Sequence, residues 1–175
     1  MRKQKPFELR DIKTDGEYLQ FDEKFRGSDV VEYTLLLGHV LIEDQLRGLI
    51  WARLGTNTLP DLKGFELIAG LAFAGSEYED ARDKLASLNE ARNQVGHKLH
   101  RNDFDLKVRT FVASVTGKGK SEAEIEWPDD ESERAAKLRL AIRFFMVWVA
   151  LKTDYYAERN NLGVEAWKVR HAVRQ

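Results

Sequence analysis

The stretch Ser76 to Arg101, SEYEDARDKLASLNEARNQVGHKLHR, decides how this chain is read. Its spacing predicts one long helix. Ser76 and Glu79 form a Ser-x-x-Glu box, in which each side chain caps a free amide at a helix start. Tyr78, Ala81, Leu85, Leu88, Val95 and Leu99 then recur every three or four residues and share one face. The slot between Leu88 and Val95 holds Arg92, a permanent charge at a position the pattern turns toward other protein. A guanidinium there is tolerated only if it is paired or lines a cleft. One reading is a structural ion pair with Glu43 or Asp44 on another helix. The other is a site, because Asn93, His97 and His100 form an adjoining polar face.

Working outward, the preceding half carries the most apolar helix of the region. Gly27 and Ser28 interrupt the chain, Asp29 with Glu32 is placed to cap a helix, and Gly55 is placed to end it near Leu54. Leu35 to Leu37, Val40 to Ile42, Leu46, Leu49, Ile50 and Leu54 give it a wide apolar face. Within it, Glu43 can pair with Arg47 one turn on. A loop with Pro60 leads to a short apolar helix at Phe65 to Ala74.

After the opening stretch, Phe104, Val108, Phe111 and Val115 predict a helix from Asp103 to about Val115. The same residues are rich in β-formers, so a short β-hairpin near 106–127 is the alternative. GKGKSEAEIEWPDDESE reads as a hinge-like loop, and a long helix from about Glu131 to Glu158 follows. Its apolar surface suffices for a core and a subunit contact together. The expected organisation is all-α: an N-terminal arm and short helix over 1–27, a helical bundle over 28–157, and a C-terminal tail over 158–175.

Composition removes whole classes of function. With 28 basic and 29 acidic residues the net charge is −1, so nucleic-acid affinity has to come from a local patch. From Ala91 to Arg101 the chain holds Arg92, Lys98, Arg101 and two histidines without an acid, which supplies that patch. The absence of cysteine excludes disulfides and thiolate chemistry and fits the cytoplasm. No apolar run approaches a membrane span, so no membrane partner is expected. Phosphate-binding glycine loops, H-E-x-x-H and G-x-S-x-G are all missing. His97 and His100 share a helix face but lack a matching third ligand, so neither a metal nor another cofactor is expected.

Arg92, Asn93 and His97 remain. A histidine near its ordinary pKa moves protons at neutral pH, and an arginine stabilises charge growing on phosphate oxygens. RNA brings its own nucleophile, the ribose 2′-hydroxyl, so such a site needs no metal. Five residues separate Arg92 from His97, about 140° around a helix, so a cleft or a groove between two copies suits them better than one narrow face.

Arg92-Asn93-Gln94-Val95-Gly96-His97 resembles the R-x(4-6)-H motif of the HEPN superfamily, where the residue after the arginine is polar and often Asn. From Gly38 to Asp103 the layout is similar to that of its mannitol operon repressor-like branch, and the resemblance spans about residues 28–157. It implies an α-helical bundle, a homodimer with motif residues lining the inter-subunit groove and, in active members, metal-independent RNA cleavage. Carried over by position, Arg92 would polarise the scissile phosphate, Asn93 would orient it and His97 would act as acid or base. Lys98, His100 and Arg101 would bind the RNA backbone. A cognate antitoxin or regulatory protein is the further partner implied. The alternative is a non-catalytic regulator, or a dimer that binds nucleotide or RNA without reacting.

Overall fold

The computed structural model describes residues 23–27, 29–55, 61–97, 101–117 and 122–162, with backbone alone at 96, 97, 101, 102 and 122. Among the described residues, five full α-helices stand out: α1 Val31–Leu54, α2 Phe65–Ala72, α3 Glu79–His97, α4 Arg101–Thr116 and α5 Glu131–Arg159. Short 3-10 turns lie at Ser76–Tyr78 and Glu122–Glu124, and no strand occurs among the described residues. No helix there is long and apolar enough to cross a membrane.

The long helices α1 and α5 form the spine and run in the same direction. Asp29, just before α1, is 3.7 Å from Arg139 in the early part of α5. At the other end, Asn160 donates to the carbonyls of Ala52 and Arg53 at 2.7 and 3.4 Å. α3 runs the opposite way, since Tyr78 at its start meets Tyr156 near the end of α5, hydroxyl to hydroxyl at 2.7 Å. α4 turns back along α3, with Lys107 paired to Glu90. The core lies between these helices, where Phe73 packs against Phe145 and Trp148, and Phe145 against Phe111.

The spine helices touch closely at Gly38. A Cβ there would stand 2.2 Å from Ile142 Cδ1 and 3.0 Å from its Cγ1. Only a residue without a side chain lets α1 and α5 approach this far. The C-terminal stop of α1 falls at Gly55, whose φ of 63° gives the left-handed cap that the sequence suggests.

Several expectations are corrected. The stretch from Ser76 is not one helix to Arg101: a tight turn, with Tyr78 N–H bonded to the Gly75 carbonyl, precedes α3, and α4 begins at Arg101. Residues 101–116 form a helix and not the first strand of a hairpin, because Phe104, Val108, Phe111 and Val112 are buried at helical spacing and outweigh the β-propensity. α1 starts after Val30 without a side-chain cap, as Asp29 is drawn toward Arg139. Leu36, Val40 and Leu54 are exposed, so its buried face is narrower than its apolar content.

The short helix α2 is fastened by arginines. Arg47 donates to the Leu62 carbonyl ahead of it at 2.9 Å. At and just past its end, Arg53 reaches the carbonyls of Ala72 and Ala74 at 2.5 and 2.8 Å, and Arg82 those of Phe73 and Gly75 at 2.6 and 2.7 Å.

Candidate functional site

Arg92 does not occupy the core slot its sequence position suggests. Ala91, fully buried, fills the stripe between Leu88 and Val95, and the one-residue step turns Arg92 outward. There it lines an open cleft of about 370 Å³ formed where α1, the start of α2 and α3 meet. No ion pair joins it to Glu43 or Asp44 among the described residues; Glu43 pairs instead with Arg47 at 2.6 Å. The guanidinium donates to Asn93 Oδ1 at 3.1 Å, so the neighbouring amide steadies it at the rim.

His97 ends α3, a turn beyond Asn93. Its side chain lies outside the described residues, as do Lys98, His100 and the side chain of Arg101. Arg92 and Asn93 are therefore the two expected site residues whose side chains the structure brings together.

A histidine that the sequence reading passed over does share the cleft. His39, on α1, is 6 % exposed and lies with its ring 4.0 Å from that of Phe65, centroid to centroid. Its Nε2 is 3.3 Å from Asn89 Oδ1, and Asn89 Nδ2 donates to Glu66 Oε1 at 3.3 Å. Glu66 as a carboxylate can only accept, so the Asn89 amide must turn its oxygen to His39, and Nε2 carries the ring proton. The signal was present in the sequence: Leu35, His39, Ile42, Leu46 and Leu49 form one helical stripe, with a histidine where an apolar residue belongs.

Burial pushes the His39 imidazole below its ordinary value near 6.5, and the Arg92 charge works the same way. The Asn89 hydrogen bond and Glu43 oppose the shift without reversing it. Since the folded state holds this proton less tightly than the unfolded chain, the contribution of His39 to stability is full above pH 6.5 and is lost as pH falls toward its lowered pKa. Urea unfolding between pH 8 and pH 5 should show that decline, and His39→Gln should flatten it. An unchanged slope in the variant would remove His39 as its source.

Among the described residues no group of three or more His, Asp or Glu is placed to hold a metal ion. The arrangement offers one cation, two carboxylates, two amides and a neutral imidazole around an open volume. Such a set can accommodate a ligand carrying an anionic group together with hydrogen-bonding edges. The chain matches no protein-family model, no curated protein and no solved structure.

Proposed function

We propose that this protein is a metal-independent RNA endonuclease of the HEPN type, acting in the cytoplasm as a homodimer in the manner of a toxin or defence effector. The observation that carries the reading is the placement of Arg92 and Asn93 at an open cleft on the helix that ends in His97. A structural guanidinium would have been paired and enclosed. In this reading Arg92 stabilises charge on the phosphate, Asn93 orients it, and His97 takes the 2′-hydroxyl proton as that oxygen attacks phosphorus. The bond from phosphorus to the 5′-oxygen breaks, that oxygen takes a proton from water, and a 2′,3′-cyclic phosphate results. Lys98, His100 and Arg101 would hold the flanking RNA backbone. Exposed Leu140, Leu151 and Tyr155 on α5 support a contact with a second copy, and a cognate antitoxin would act by covering the groove.

The test uses purified protein in chelator with a single-stranded RNA and the DNA of matching sequence. RNA should be cut to fragments with cyclic ends, DNA should survive, and light scattering should give a dimer. Cleavage of both polymers at the same rate would overturn the reading. The two carboxylates in the cleft favour a second one: a regulator or a nucleotide- or RNA-binding dimer without catalysis, shown by RNA bound intact.

A further inference from the structure

The cleft holds Arg92 and two carboxylates, and the carboxylates differ in how they are compensated. Glu43 faces the Arg47 guanidinium at 2.6 Å, so its charge is largely spent. Glu66, in the first turn of α2, receives a neutral amide from Asn89 and has no ion pair among the described residues. The cleft therefore presents one cation and one uncompensated carboxylate. A ligand that satisfies both carries an anionic group and an edge of hydrogen-bond donors.

Glu66 is exposed, yet its position is set from inside the protein. His39, buried among α1, α2 and α3, holds Asn89, and Asn89 holds Glu66 Oε1. Ordering a surface carboxylate in advance removes part of the entropy cost of binding through it. A carboxylate has about four lone-pair sites on its two oxygens, so one bond from Asn89 leaves acceptors on both. Two acceptors side by side match two donors side by side. Among the RNA bases only guanine presents that edge, with N1–H next to its 2-amino group. Adenine and cytosine place a ring acceptor beside a single amino group, and uracil sets one N–H between two carbonyls.

We infer that this cleft is a guanine-reading subsite, in which Glu66 accepts from N1–H and the 2-amino group while Arg92 holds an adjoining phosphate. The inference rests on the RNA reading above and names the nucleotide that reading leaves open. A volume of about 370 Å³ is on the scale of a single nucleotide. The shared chemistry is guanosine next to a phosphate, whether in an RNA chain or as a free nucleotide.

The experiment measures equilibrium binding to labelled oligouridines carrying one central guanosine, inosine or adenosine, 2′-O-methylated so that no cleavage occurs. Inosine lacks only the 2-amino group of guanine. Guanosine should bind about tenfold more tightly than inosine, and Glu66→Gln, which keeps a carbonyl for Asn89 but replaces the second oxygen with a donor, should erase the difference. Calorimetry with guanosine and inosine monophosphates forms the second arm. The same preference there, at affinities equal to the oligonucleotides, assigns the site to free nucleotide. Absence of oligonucleotide binding sinks the RNA reading while the monophosphates still test the base. Equal affinity for guanine and hypoxanthine in both arms, no binding in either, or full discrimination in Glu66→Gln, overturns the guanine inference.

Discussion

In the proposed ribonuclease, replacing Arg92 with alanine should slow RNA cleavage by roughly 10²–10³-fold, the usual cost of removing one donor aimed at developing negative charge. Stability should hardly change. Arg92 is exposed and its bond runs to the adjacent Asn93, so its loss leaves no buried group unpaired. Lysine should not rescue the variant, because a single ammonium cannot reproduce the flat, two-pronged guanidinium. His97→Ala, removing the proposed acid or base, should cost roughly 10²–10⁴-fold. Single-turnover cleavage of end-labelled RNA, read beside thermal melting, measures both. An Arg92→Ala protein within threefold of wild type would end the catalytic assignment, and one that melts far lower would return Arg92 to a structural role.

The second large effect concerns the spine. Gly38→Val should destabilise the fold by about 3 kcal/mol, at the upper end of the usual cost of overpacking. The argument is geometric: Ile142 Cδ1 would lie 2.2 Å from the new Cβ, and Ile142 is fully buried, so it cannot swing into solvent. Alanine regains up to about 1 kcal/mol of helix propensity, so Gly38→Ala should suffer less. Ile142→Val deletes the clashing methyl. Combined with Gly38→Ala it should lose less than the sum of the single changes, a coupling that a double-mutant cycle reads directly. A Gly38→Val protein with wild-type melting would show that the helices separate without cost.

The main helices were legible because their signals are local. α1 ends at the glycine the sequence marks, and α5 begins where expected and ends one residue beyond Glu158. What failed was local in one case and long-range in the others. A step of about 100° per residue makes positions 91 and 92 near-equals in a stripe, and a small alanine gives a weak apolar signal beside an eye-catching arginine. The local sequence offers Asp29 as a cap because its competitor, Arg139, stands more than a hundred residues away. The same distance problem hid the cleft. His39 lies 50 residues from Asn89, and Asn89 is 23 from Glu66, so nothing along the chain announces that they touch. That Arg92 and Asn93 stand together follows from their adjacency in sequence; the partners that shape their surroundings could not be read there.

The arginines that fasten α2 bear on which sequences this fold can drift into. Arg47 and Arg53 each use both terminal nitrogens, Arg47 on a carbonyl and a carboxylate and Arg53 on two carbonyls, whereas Arg82 reaches its two carbonyls from Nη1 alone. A lysine at 47 or 53 would deliver a point charge where a fork of fixed geometry is in use. Exchange of arginine for lysine, among the easiest steps on a protein surface, is thus disfavoured at 47 and 53. It stays open at exposed positions such as Arg26, whose contact with Glu23 is a loose surface pair at 3.8 Å.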